Sequence, residues 1–211
     1  MKNLLYVTAS LSGPDSKSGQ VGAEFVSAWQ AANGPVHTVH RNIGDGAIAH
    51  LRGEHLKAWM TPPDQRSQRE QALAGESDPL LEEVEAADVI VIAVPMYNFA
   101  IPSTLKAWID HITRAGRTFR YAGPGTVEGL LKNRKVFVIA ARGGVYTGDS
   151  PAKPFDFQEP YLRAILGFNG LTDVTFLHVE GQKISPEAAE AGVTRAVKLA
   201  HEIAAPARAA A

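Results

Sequence analysis

Three stretches of the chain hold residues whose types and spacing suit chemistry. The first, residues 9–19, carries Ser10, Ser12, Ser16 and Ser18, with Lys17 among them, and runs into a helical pattern. A helix start offers free backbone N–H groups and partial positive charge, so hydroxyls around it suit a phosphate without a fixed cation. The plainer reading is a polar loop with Ser18 as N-cap. The second stretch reads Pro95-Met96-Tyr97-Asn98-Phe99-Ala100-Ile101-Pro102. Large apolar and aromatic groups beside one Asn suit a flat aromatic ligand, although Tyr97 and Phe99 could equally pack under the next helix. The third is Ala141-Arg142-Gly143-Gly144. Paired glycines let a backbone approach a ligand closely, or simply make a tight turn. Together the three describe a pocket with a phosphate end and a flat, backbone-lined end.

The elements that must position these stretches can be read from periodicity. Residues 4–8 form a short apolar run. Val21, Phe25, Ala28, Trp29 and Ala32 then share one helix face, and Asn33-Gly34-Pro35 ends it. Residues 36–40 read as a second strand. Residues 41–77 are the least readable, with turns at Gly44, Gly46 and Pro62-Pro63 and a short helix expected over 66–74. A helix over 80–86 is expected to start from Asp78-Pro79 as cap and first-turn proline. Residues 88–94, apolar and mostly β-branched after Asp88, read as a central parallel strand covered on both faces. Leu105, Trp108, Ile109 and Ile112 mark a helix, 135–141 a fourth strand, 161–168 a helix, 174–179 a fifth strand. Ser185-Pro186-Glu187 opens a last helix, and 206–211 is expected to fray. Alternating strands and helices predict one domain over residues 1–211 with a doubly wound five-stranded parallel sheet. In such a sheet ligands bind beyond the carboxyl ends of the strands, where all three stretches fall.

The bulk numbers remove several classes. The 211 residues are 45% hydrophobic and 20% charged, with formal charge −1. That is an ordinary globular composition with no electrostatic footprint for nucleic acid or an anionic membrane. There is no cysteine, so disulfides, thiolate metal sites and cysteine nucleophiles are excluded. His37 and His40 would face opposite sides of a strand, so no shared metal is expected. No His-Glu-x-x-His, Gly-x-Ser-x-Gly, Gly-x-Gly-x-x-Gly or Walker motif occurs. A response-regulator site would need acidic residues where this chain has Thr8-Ala9-Ser10 and Pro95-Met96. The first seven residues hold an apolar run too short for a secretory leader, so a cytoplasmic protein with no membrane span is expected.

Pro95-Met96-Tyr97-Asn98-Phe99, Pro102, Leu105-Lys106, Asp110, Arg114-Ala115-Gly116, Thr118-Phe119-Arg120-Tyr121 and Arg142-Gly143-Gly144 together resemble the bacterial FMN-dependent NADH azoreductases. Pro160-Tyr161-Leu162, Leu166-Gly167-Phe168 and Gly170-Leu171-Thr172-Asp173-Val174 extend the resemblance over nearly the whole chain. It implies a flavodoxin-like sheet of order 2-1-3-4-5, a homodimer, non-covalent FMN, and NADH or NADPH as electron donor. Ser10, Ser16, Lys17 and Ser18 match phosphate-binding positions. Pro95, Met96, Tyr97, Asn98 and Phe99 match the loop around the isoalloxazine. Ala141, Arg142, Gly143 and Gly144 match the loop at the pyrimidine end, and Tyr121 an aromatic bordering the substrate pocket. The implied reaction is hydride transfer through flavin N5 to a quinone or azo compound, on one face used twice, hence ping-pong. The Asn98 and Gly144 amides would face the reduced ring.

Departures from the family pattern fall near the acceptor. Ala141 replaces a hydroxyl residue, Tyr146 stands where His is common, and Ile165 replaces an aromatic of the substrate pocket. Residues 147–157 look longer than in relatives. No catalytic acid or base is evident, and Tyr146 is the one candidate. Two alternatives stay open: a non-catalytic flavodoxin-type carrier, and an FMN or chromate reductase of the same fold. Flavodoxins proper are acidic, and the long segment 118–131 here can build an interface or pocket wall.

Overall fold

In the computed structural model residues 1–205 are described, so the expected fray over 206–211 lies outside the described residues. Strand β1 (Lys2–Thr8) leads to α1 (Lys17–Asn33), β2 (Val36–Asn42), α2 (Gly53–Met60), α3 (Gln68–Gly75), α4 (Asp78–Ala86) and β3 (Val89–Pro95). Helix α5 (Ser103–Ile112), the strands β4 (Phe119–Gly123) and β5 (Thr126–Gly129), β6 (Lys135–Ala141), α6 (Gln158–Phe168), β7 (Asp173–Val179) and α7 (Pro186–Ala204) follow. The main sheet is parallel, in the order β2-β1-β3-β6-β7. Counting only its own strands, this is the expected 2-1-3-4-5, with helices on both sides.

Every residue of β3 is buried, so its sequence must be apolar on both alternating faces. One face carries Leu4, Val91 and Phe137 against Phe25 and Trp29 of α1 and Ala196 and Ala200 of α7. The other carries Leu5, Ile90 and Ile92 against Leu81 of α4, Trp108 of α5 and Leu162 of α6. Each buried side chain of this size contributes about 1.5–3 kcal/mol relative to exposure. Register then places the loops. Pro95 pairs with Ala141, so the chain leaves β3 and β6 side by side. Thr8 pairs with Ala93, which brings residues 9–16 against the same edge.

Differences from the sequence expectations have local causes. Helix α4 has Ser77, not Asp78, at its N-cap position. The Ser77 hydroxyl is committed elsewhere, donating to Nδ1 of buried His111 (2.7 Å), whose Nε2 donates to Ala49 O (2.9 Å). Helix α2 was not expected. Its anchor is buried His55, which accepts from Arg52 N (3.1 Å) and meets Glu76 Oε2 at 3.1 Å. Residues 119–129 form an antiparallel hairpin. It docks by backbone contact, because a Cβ on Gly129 would lie 2.1 Å from Gly170 N. Among the described residues no helix is long and apolar enough to cross a membrane.

That contact gives a first prediction. Gly129→Ala pushes backbone against backbone, and overpacking of this kind costs about 1–3 kcal/mol. The urea midpoint should fall with unchanged slope; an unchanged midpoint would show that the hairpin does not depend on this contact.

Candidate functional site

The loop after β1 makes one turn of 3-10 helix (Gly13–Asp15) before α1 begins. The N-cap is Ser16, whose Oγ accepts from Gly19 N (3.0 Å) and contacts Ser18 Oγ (3.1 Å). Ser18, weighed above as the cap, instead sits fully buried in the first turn. Gly44 admits the loop, since a Cβ there would lie 2.1 Å from Ser10 O. The Lys17 and Ser18 amides have no acceptor among the described residues. Lys17 itself is exposed, and its ammonium donates to Gln20 Oε1 (3.2 Å). The anion-binding capacity here therefore rests on backbone amides and serine hydroxyls.

The loop after β3 closes in a tight reversal. Tyr97 and Ala100 exchange both backbone hydrogen bonds at 3.0 Å, with Asn98 at φ 49° and Phe99 at φ 68° between them. A two-residue reversal needs positive φ at both positions, which Asn tolerates and Phe does not. Holding Phe99 there costs about 1–2 kcal/mol. The Asn98 and Phe99 amides are left without acceptors among the described residues. Tyr97 OH accepts from Leu11 N (3.3 Å), tying this loop to the first.

The loop after β6 is fixed through its carbonyls. Gln182 N, Lys183 N and Gly181 N donate to the oxygens of Arg142 (3.1 Å), Gly143 (2.9 Å) and Gly144 (3.0 Å). The Gly143 and Gly144 amides find no acceptor among the described residues. Ser10, Ser16, Lys17, Ser18, Pro95, Met96, Tyr97, Ala141 and Gly143 all border one cavity of about 410 Å³. Gln182 and Lys183 border it too. They come from the loop after β7, which the sequence reading left out. Asn98 joins Tyr97 in the wall of an adjoining, mostly apolar cavity of about 840 Å³, with Leu11, Ile101, Phe157 and Tyr161. Phe99 is 46% exposed beside it and packs on Phe155.

Arg142 borders the smaller cavity but is 1% exposed, and its guanidinium is turned into the protein. Nε donates to Gln158 Oε1 (3.0 Å); Nη1 lies 3.4 Å from Glu180 Oε1, and Nη2 lies 3.1 Å from Asp156 Oδ2. The side chain is therefore engaged inside the protein, and what Arg142 can offer the cavity is its backbone. Tyr146 is half-buried, under the Arg142 guanidinium and against Gly144, and borders neither cavity. Tyr121 is 75% exposed on the hairpin, and Ile165 packs against the core. Neither borders either cavity. His40 stacks on Tyr6 rather than meeting His37. No group of three or more metal-ligating side chains converges among the described residues.

Unpartnered amides thus belong to Lys17, Ser18 and Gly143, which border the smaller cavity, and to Asn98 in the wall of the adjoining one; Gly144, next in the chain to Gly143, borders neither. A doubly wound parallel sheet with free amides at this edge defines an α/β protein whose cavity lies at the carboxyl ends of its strands. The model of the flavodoxin-like fold family matches residues 2–203, and the chain belongs to that family. It is 44% identical over 196 residues to FMN-dependent NADH:quinone oxidoreductase 2 of Pseudomonas fluorescens, covering 93% of this chain and 96% of that one. The corresponding oxidoreductase 3 of Pseudomonas aeruginosa is 46% identical over 196 residues, 93% of this chain and 90% of that one. A crystal structure of azoreductase from Bacillus anthracis superposes with TM-score 0.88 at 25% identity, covering 97% and 99% of the two chains. An FMN-dependent NADH-azoreductase from Bacillus anthracis in complex with FMN gives 0.84 at 27% identity, covering 97% and 100%.

Two predictions follow from this geometry. Ser16→Ala removes the N-cap and should cost about 1 kcal/mol of stability. Ser18→Ala, which leaves the cap in place, should cost less. Both should weaken phosphate-dependent ligand binding, read by titration calorimetry; equal stability losses would contradict the cap assignment. The second concerns Glu159, whose carboxyl is drawn down to about 2 by the His178 hydrogen bond, against the opposing effect of burial and with help from Arg163. A depressed carboxyl stabilises the fold above its ordinary value of 4.5, and that stability is lost as pH falls towards 2. Glu159→Gln should therefore flatten the urea midpoint between about pH 5 and pH 2; an unchanged acid limb would refute it.

Proposed function

We propose that the chain is an FMN-dependent NAD(P)H oxidoreductase that reduces quinones and aromatic azo compounds. The observation that carries this reading is that the unpartnered amides of Lys17 and Ser18, at the start of α1, and of Gly143, after β6, belong to residues that border the same 410 Å³ cavity. The residues present fit FMN. The first-turn amides and the hydroxyls of Ser10, Ser16 and Ser18 suit the phosphate, and the 95–99 and 141–144 backbone suits the ring. Bound FMN supplies hydride chemistry at N5, between a nicotinamide and an acceptor. The protein binds, orients and offers donors: the Asn98 and Gly144 amides are suited to a negative charge developing on a reduced ring. Tyr146 remains a weak candidate for orienting the acceptor, since it borders neither cavity.

The adjoining 840 Å³ cavity is one apolar space, suited to a flat donor and a flat acceptor in turn, which supports ping-pong kinetics. We also propose a homodimer. Leu11, Phe99 and Phe157 leave apolar surface exposed around that cavity, and Tyr121 on the hairpin could border a partner's substrate pocket but not its own. A cytoplasmic location, without nucleic-acid or membrane partners, accords with the near-zero charge.

The test is an anaerobic titration of the FMN-reconstituted protein. NADH should bleach the flavin band, and menadione or an azo dye should restore it, with parallel double-reciprocal plots. A protein that stays colourless when FMN is added would sink the flavin reading. Bleaching without turnover of any acceptor would leave an electron carrier, and faster turnover of free flavin than of quinones a flavin reductase. Sedimentation should give twice the chain mass.

A further inference from the structure

Arg142 and Glu180 are both buried, directly behind the loop that carries the free Gly143 and Gly144 amides. Glu180 Oε1 accepts from Tyr146 N (2.8 Å) and Oε2 from the Thr147 hydroxyl (2.6 Å), and Arg142 Nη1 approaches at 3.4 Å. The Glu180 backbone is held in turn by α7, where a Cβ on Gly192 would lie 2.1 Å from Glu180 O. Near the same guanidinium, Asp156, the residue before the Phe157 N-cap of α6, accepts at Oδ1 from Gln158 N (3.0 Å) and Glu159 N (3.1 Å). The pair therefore ties residues 142–147, the start of α6 and the loop after β7 to one another. Of the groups so tied, the amides of 143 and 144 are free for a ligand.

Burying a guanidinium among carboxylates is costly, and a well-packed apolar substitute is often as stable. Here Nη2 makes no aligned hydrogen bond despite lying 3.1 Å from Asp156. Stability alone is thus a poor account of the arrangement. We propose that Arg142 and Glu180 act as a positioning pair, which holds the Gly143 and Gly144 amides where they favour the reduced, negatively charged state of the bound ring over the oxidised one. This rests on the flavin reading above. Amides fixed by rigid partners stabilise a developing charge without reorganising. A loosened loop loses that preference while still binding the neutral ring.

The measurement is the affinity of the protein for oxidised and for reduced FMN. A merely structural role weakens both alike. A positioning role changes their ratio, and so the potential of the bound flavin. In Glu180→Gln and Arg142→Lys the affinity for reduced FMN should fall about tenfold more than that for oxidised FMN, a negative shift of about 30 mV for a two-electron couple. Thr147→Val, which removes one donor to Glu180 and perturbs folding least, should move the ratio in the same direction by about threefold. Lys135→Ala, at the far end of β6, is the control: it should change stability without moving the ratio. A ratio unchanged within twofold in Thr147→Val and in whichever of the other two variants folds would overturn the proposal. Absence of flavin binding by the unaltered protein would instead overturn the functional reading beneath it.

Discussion

Strand β3 is closed off on both faces, and the placement of the site follows from that. A strand with helices packed above and below cannot offer a polar side chain along its length, because an unpaired polar group there costs about 1–3 kcal/mol. Binding chemistry is pushed to the strand's carboxyl end. There the chain escapes the sheet and backbone groups lose their ladder partners. Register decides what meets at that point: Pro95 beside Ala141, and Thr8 two residues short of them. The gap beyond the end of β1 is where residues 9–16 fold back and α1 starts. The cavity is bordered by the ends of three neighbouring strands and needs no separate domain to enclose it.

What recognises a ligand at such an edge is mostly backbone. An exposed ion pair contributes about 0–1 kcal/mol, and Lys17 is exposed and already engaged with Gln20. Hydrogen bonds to a charged group contribute about 1.5–3 kcal/mol each, and the Lys17 and Ser18 amides are both free. The amides therefore outweigh the lysine. The same holds at the other side, where the strained reversal at Asn98 and Phe99 frees two amides. A positive φ at a phenylalanine is tolerated when the surroundings overdetermine it. Here the paired Tyr97–Ala100 bonds do so, together with the hydrogen bond from Phe157 N to Phe99 O (3.0 Å).

The sheet was legible in the sequence because its signal is local. The apolar run of β3 can come from few other elements, and Asn33-Gly34-Pro35 ends α1 whatever surrounds it. The polar start of α1 was legible for the same reason, as serines before a helix. What could not be read depends on residues distant in the chain. The hairpin docks on Gly170, some forty residues past Gly129, and α2 is anchored by a histidine whose partner lies in another helix turn. Arg142 is the clearest case. Beside two glycines at a strand end, an arginine reads as a ligand contact. The groups that draw it inward, Gln158, Asp156 and Glu180, belong to segments that only the fold brings together. Gln182 and Lys183 carry no local signal: they follow the edge strand β7, and only the fold brings that loop to the same cavity.

The departures from the family pattern take on physical meaning in this light. Ala141 is 9% exposed with its carbonyl accepting from Met96 N (2.7 Å), so the loop's shape does not depend on a side-chain hydroxyl there. Tyr146 is different: its amide is bound by Glu180 and its ring lies under the Arg142 guanidinium. A side chain there is held by the same carboxylate and guanidinium that fix the glycine amides. The segment 147–157 carries Asp156 to Arg142 and brings Phe155 against Phe99. A change in its length therefore acts on both the cofactor loop and the rim of the apolar cavity. Phe157, the last residue of the segment, stands in the wall of that cavity, so the segment shapes the cavity as well as its rim.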